Sequence, residues 1–133
     1  MDIKNLLFSY NGRIRRLHYW MGVLGLSVGF GILFWILFML LGPKVTPGGV
    51  VSTGSPLFMP VVGIIDIALV YMSFAIYVKR AHDRGRAWWF ALLFIVPLLN
   101  LWPFIELGFL PGTAGPNQYG PDPKLGEAAP AAA

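Results

Sequence analysis

The sequence predicts an all-α membrane protein with three transmembrane helices and a short N-terminal interfacial amphipathic helix. Composition is the first reason. Of 133 residues 56% are hydrophobic and only 12% charged, about half the charge density of a typical soluble domain, and the mean hydropathy is +0.66. The second is the presence of three apolar runs, 18–41, 57–78 and 88–110, each 22 to 24 residues long, where about 20 helical residues suffice to cross a bilayer. The third is what remains. The pieces outside the runs hold 17, 15, 9 and 23 residues, all short of the roughly 40 below which a domain rarely folds unaided. Residues 1–110 are expected to form a single membrane domain, and 111–133 a Pro/Gly-rich tail.

The elements follow in chain order. Within residues 1–11, Ile3, Leu6, Leu7 and Tyr10 recur at the spacing of one helical face among Asp2, Lys4, Asn5 and Ser9, the pattern of a helix lying on a membrane surface. Asn11-Gly12 breaks it, so that the chain can turn into the bilayer. Arg13, Arg15 and Arg16 before the first run resemble the positive region of a signal peptide, but the run from Met21 to Leu41 exceeds a signal's apolar stretch of about 7 to 15 residues. The runs are continuous rather than alternating, which excludes the strands of an outer-membrane barrel. The loop 42–56 is rich in Gly, Pro, Ser and Thr and is expected to be mobile.

Charge sets the orientation. Lys4, Arg13, Arg15 and Arg16 precede the first run and Lys79, Arg80, Arg84 and Arg86 separate the second from the third, whereas only Lys44 and Lys124 lie elsewhere. The positive-inside rule then puts the N-terminus and the second loop in the cytoplasm. Three spans would leave the C-terminus outside. Pro97, Asn100 and Pro103 interrupt the third run, however, and a re-entrant hairpin there would return the tail to the cytoplasm; three spans are the expectation. Tyr19, Trp20, Trp88, Trp89 and Trp102 are placed to anchor at headgroup level, Glu106 to reach the interface from the end of the third run, and the Ala-rich last ten residues to be disordered.

Two intramembrane features carry chemistry. Asp66 sits near the middle of the second run, where a carboxylate is expensive. It is either a proton or cation site assisted by Asn100, or a neutral group hydrogen-bonded to Asn100, Ser27, Ser73 or a partner helix. Gly22, Gly25 and Gly29 share one face of the first span and include a GxxxG pattern that permits close backbone approach. That face packs on the protein's own spans, on a second protomer or on a foreign subunit.

The densest polar chemistry lies at the ends of the runs. Gly12-Arg13-Ile14-Arg15-Arg16-Leu17-His18-Tyr19-Trp20 leads into the first, Lys79-Arg80-Ala81-His82-Asp83-Arg84-Gly85-Arg86-Ala87-Trp88-Trp89 joins the second to the third, and Gly112 to Pro123 follows the third. Arg80, Arg84 and Arg86 offer planar donors suited to phosphate, His82 adds a titratable donor, and Gly85 permits a tight turn. Arg13 and Arg16 are spaced to share a helical face. One reading makes Arg13, Arg16, Arg80, His82, Asp83, Arg84 and Arg86 a site for a lipid phosphate or other acidic headgroup. The other makes the basic residues topology determinants, with Asp83 forming an internal salt bridge that ties the linker to the first span.

These segments resemble the bacterial domain-of-unknown-function family 805 (DUF805), small inner-membrane proteins of similar length. The family pattern GRxxRxxYW is matched by Gly12, Arg13, Arg16, Tyr19 and Trp20; RRxHDxGRSxWW by Arg80, His82, Asp83, Gly85, Arg86 and Trp89; and GxxGxNxYGxDP by Gly112, Gly115, Asn117, Tyr119, Gly120, Asp122 and Pro123. Lys79 stands where Arg is usual, Ala81 where Leu is common and Ala87 where Ser is usual. Asp66 is not part of the pattern. The resemblance implies an architecture and location in the bacterial inner membrane, and no established activity.

Function classes narrow accordingly. No cysteine is present, which removes disulfides and thiolate chemistry, and two histidines are few for a metal site. No nucleophile elbow, phosphate loop or dinucleotide glycine pattern appears, so neither catalysis nor a cofactor is expected. Basic residues abutting the spans are explained by topology without nucleic acid. The expectation is an accessory or lipid-headgroup-interacting protein, whose partners are membrane lipids, anionic ones among them, and a homo-oligomer or larger membrane complex. The alternative is a small homo-oligomeric transporter or channel using Asp66 and Asn100.

Overall fold

A computed structural model describes residues 3–124; the Ala-rich end, expected to be disordered, lies outside the described residues. The chain is helical, with isolated bridges Val45–Val51 and Asn117–Gly120 and no strand among the described residues. In order come α1 (Ile3–Phe8), α2 (Arg16–Leu41), α3 (Phe58–Asp83), a 3-10 helix (Trp88–Ile95) and α4 (Leu101–Phe109). Among the described residues only the helices α2 and α3, 26 residues each, are long and apolar enough to cross a membrane. Two compact units result, one of residues 1–23 and 72–133 and one of residues 24–71.

The third expected span does not form. Val96, held extended by the ring of Pro97 that follows it, ends the 3-10 helix, and Leu98 takes the left-handed region at φ 69°. The chain reverses, and α4 runs back. Arg86, just before the run, donates from Nε to Glu106 Oε1 at 3.0 Å, so the start of the run lies beside the second half of α4. Proline and a left-handed residue at mid-run outweigh the hydrophobicity that suggested a span.

In the first unit, the start of α2 packs on the end of α3. Gly22 is the point of closest approach: a Cβ there would lie 2.7 Å from Ile76 Cδ1. Tyr19, 2% exposed, sets its ring 6.2 Å from that of Tyr77, and Trp20 donates to Gly108 O at 2.8 Å. The Tyr19 ring is thus internal rather than a headgroup anchor and Trp20 is partly buried against α4, whereas Trp88, Trp89 and Trp102 remain about half exposed. α3 ends in a Schellman turn. Arg86 N–H bonds Ala81 O, Gly85 N–H bonds His82 O, and Gly85 supplies the positive φ of 77° that this stop requires. The fully buried Lys79 donates from Nζ to Asn5 O and to Leu6 O, the latter at 2.6 Å, holding the last carbonyls of α1.

In the second unit, Phe34 and Phe38 of α2 meet Phe58 of α3 at ring distances of 6.3 and 6.1 Å. Between the helices Lys44 N donates to Ser52 Oγ and Ser52 N to Lys44 O, which closes the Gly/Pro-rich loop on itself. Gly25 and Gly29 have nothing within 4 Å of a built Cβ. Of the three glycines expected to mediate packing, Gly22 alone meets a helix of the same chain.

Candidate functional site

The three motifs converge on one carboxylate. Asp83, the last residue of α3, is 3% exposed, and Arg13 and Arg80 beside it are 5% and 0% exposed. Arg13 lies in the extended segment before α2 and reaches Asp83 Oδ1 from Nε at 3.1 Å and from Nη2 at 3.0 Å. Arg80, one turn earlier on α3, donates from Nη1 to Asp83 Oδ2. One carboxylate thus divides its oxygens between two guanidinium groups, as buried charge requires.

The remaining donors of both arginines go to backbone carbonyls. Arg13 donates to Thr113 O at 2.6 Å, Gly115 O at 2.8 Å and Gly120 O at 3.2 Å; Arg80 donates to Leu107 O and Leu110 O at 2.7 and 2.6 Å. These carbonyls belong to the end of α4 and to the tail, where no helix continues to satisfy them. The arginines therefore act as caps that also neutralise Asp83. The tail motif answers in kind: Thr113 N donates to Asp83 O at 2.6 Å, and Asn117 Nδ2 to His82 O at 2.9 Å. Tyr119 stacks on the His82 ring at 4.0 Å and 5°, while His82 Nδ1 lies 3.0 Å from Gly12 O.

Glycines make the closure possible. Gly112 faces the carboxylate so closely that a Cβ there would lie 2.0 Å from Asp83 Oδ2. Gly12, Gly115 and Gly120 adopt φ of 92°, 74° and 139°, conformations that L side chains avoid. Asn117 Oδ1 accepts from Tyr119 N at 2.8 Å, and Asp122 Oδ2 from Gly115 N at 2.9 Å, which fix the tight loop of the tail.

A second carboxylate organises the outer side. Glu106, expected at the interface, is instead 4% exposed. It accepts from Arg86 Nε at 3.0 Å, Arg84 Nη2 at 3.2 Å and Trp102 Nε1 at 2.7 Å. Arg86 also lies over the Phe90 and Trp102 rings at 5.1 and 5.7 Å. Arg84 Nη1 donates to Pro111 O and Arg16 Nη1 to Phe109 O at 2.7 Å.

Of the seven proposed headgroup residues, Arg13, Arg80, His82 and Asp83 are thus buried in the network, while Arg16, Arg84 and Arg86 retain exposed surface. Asp66 lies in the second unit, exposed on α3. Asn100 lies in the first, lining a cleft of about 240 Å³ with Phe94, Leu101 and Phe104. Sequence reasoning missed Lys79, Glu106 and Trp20 as internal ties. The spacing of Trp102 and Glu106, one helical turn apart, was the available signal for the second.

A family model described as "Protein of unknown function (DUF805)" matches residues 7–121, which takes in the first two motifs and the third as far as Pro121. The Escherichia coli K12 protein named inner membrane protein YhaH is 34% identical over 124 residues, covering 92% of this chain and 93% of the relative. Inner membrane protein YhaI of the same strain is 29% identical over 125 residues, covering 93% and 92%, and the protein named YiiR is 30% identical over 147 residues, covering 92% and 90%. No solved structure matches.

Proposed function

From the premise that the chain belongs to the DUF805 family, we propose that this small membrane protein is an accessory protein of the inner membrane that presents a rigid, cationic, aromatic-rimmed surface to anionic lipid headgroups. In this reading α2 and α3 span the bilayer, α1 lies at the cytoplasmic interface, and residues 88–110 form a re-entrant hairpin. The 3-10 helix of 8 residues rises about 16 Å at about 2 Å per residue, half the depth of the core. The N-terminus, the linker and the tail then all lie on the cytoplasmic side, as the eight basic residues at or before the start of α2 and near or after the end of α3 favour.

The observation that carries the proposal is the division of labour among the cations. Arg13 and Arg80 are consumed by Asp83 and by carbonyls, whereas the side chains of Arg84 and Arg86 are 24% and 41% exposed and Arg16 is exposed. All three hold to residues 106–111 by one bond or more, so their heads are prepositioned. Trp88, Trp89 and Trp102 stand about half exposed on the same segment, as rings at headgroup level do. Positioned guanidinium groups recognise phosphate at lower entropic cost than free side chains.

Native mass spectrometry from mild detergent, with added cardiolipin and phosphatidylglycerol as probes, tests this. The wild type should retain anionic lipid, and an Arg16→Gln, Arg84→Gln variant, in which Arg86 still pairs with Glu106, should lose most of it while remaining folded. Equal retention by a folded variant would contradict the reading.

A further inference from the structure

Asp66 lies on the outer face of α3. The half-buried positions Phe58, Val62, Ile65 and Leu69 form its inner seam, with spacings of four, three and four. Met59, Gly63, Asp66 and Val70 repeat the same spacing one residue on, and all four are exposed. Met59 is 73% and Val70 65% exposed, as is Ile67 at 73%. Nothing lies within 4 Å of a Cβ built on Gly63, and Asp66 makes no hydrogen bond or ion pair among the described residues. The outer seam is therefore apolar, has a small residue one turn from its centre, and holds one carboxyl group at its middle.

We infer that this seam is a contact between two copies of the chain, α3 against α3 in parallel about a twofold axis along the membrane normal, with the two Asp66 carboxyls hydrogen-bonded to each other. The inference rests on the reading of α3 as a membrane span. A carboxyl group in hydrocarbon needs a partner, and no Lys or Arg occurs between residues 17 and 43 or between 45 and 78 to provide one at that depth. A second copy does provide one. Charge bias inserts every copy in the same orientation, so residue 66 of each lies at the same depth, and a twofold contact brings like to like. A protonated carboxyl is at once donor and acceptor, so a pair sharing protons is self-complementary where a pair of lysines is not. The four-three-four spacing is that of a left-handed helix pair, and Gly63 lets the two backbones approach beside the polar pair.

The natural absence of cysteine makes the test direct. Met59→Cys, Gly63→Cys and Val70→Cys are introduced singly, with Val62→Cys and Leu69→Cys as inner-seam controls, and oxidised in native membranes. The outer-seam variants should form disulfide dimers severalfold more than the controls. Adding Asp66→Leu should abolish the dimer, and Asp66→Asn, whose amide is also donor and acceptor, should preserve much of it. Equal cross-linking by both seams, a dimer indifferent to Asp66→Leu, or a product carrying a different protein would overturn the pairing. Labelling of Val70→Cys by an impermeant maleimide in sealed membranes would overturn the span and the pairing together; an unlabelled cysteine without dimer would overturn the pairing alone.

Discussion

Replacing Asp83 by asparagine is expected to destabilise the protein by about 3 to 5 kcal/mol, the loss typical when one partner of a buried ion pair is removed. Asparagine keeps the shape but not the charge, so two guanidinium groups 5% and 0% exposed would share a site with no anion. The carbonyls of Leu107, Leu110, Thr113, Gly115 and Gly120 would still accept from them, but carbonyls do not cancel two charges. The network would open where it is least tied, at the tail, because residues 112–120 reach the linker mainly through Arg13, Asp83 and His82. Thermal unfolding in detergent, followed by the fluorescence of the five tryptophans, should show a large fall in midpoint. Trypsin should then cut the linker arginines that the wild type protects. Arg16→Gln is the contrast, since an exposed change of this kind is worth about 0.5 kcal/mol or less.

Gly112→Ala should be nearly as damaging, for a different reason. The added Cβ would lie 2.0 Å from one Asp83 oxygen, 2.4 Å from Cγ and 2.8 Å from the other oxygen, and the carboxylate cannot retreat because Arg13 and Arg80 hold both of its oxygens. Either the tail moves away or the ion pairs break. Overpacking of this kind costs about 1 to 3 kcal/mol or more. The diagnostic result is non-additivity: Asp83→Ala removes the atoms with which the new methyl collides, so the double variant should be less destabilised than the sum of the single ones. Additive losses would mean that Gly112 and Asp83 do not share a site.

The two long apolar helices, the helical class and the residues of the Arg13–Asp83–Arg80 network were legible in the sequence, because each leaves a local signature: length and hydropathy for α2 and α3, and charged residues at spaced positions for Arg13, Arg80 and Asp83. What these residues bind was not legible. A guanidinium that caps carbonyls 100 residues away, as Arg13 does at Thr113, looks in sequence like one that awaits a phosphate. The internal salt bridge from the linker to the segment before α2 was one of two readings, and Arg13 meets Asp83 only through a fold that joins positions 70 residues apart. The third run misled for a related reason. Hydropathy measures what a segment can be immersed in rather than its path, and the path was set by Pro97, a left-handed Leu98 and the distant pairing of Arg86 with Glu106. Glu106, near the end of the run, reads as interfacial in the sequence because its two charged partners precede it by 20 and 22 residues; only Trp102, one turn before it, lies within local range.

The central claim is that residues 88–110 return to the side from which they start, so that the N-terminus, the linker and the tail meet in one clasp. Side-specific labelling tests it most directly, since the chain has no native cysteine. Ser9→Cys and the exposed Gln118→Cys would each be treated with an impermeant maleimide, first in intact cells and then in inverted membrane vesicles. The account predicts that both are labelled in the vesicles and neither in the cells. Labelling of Gln118→Cys from outside intact cells, with Ser9→Cys protected, would mean that the third run crosses the membrane and that the clasp does not exist there.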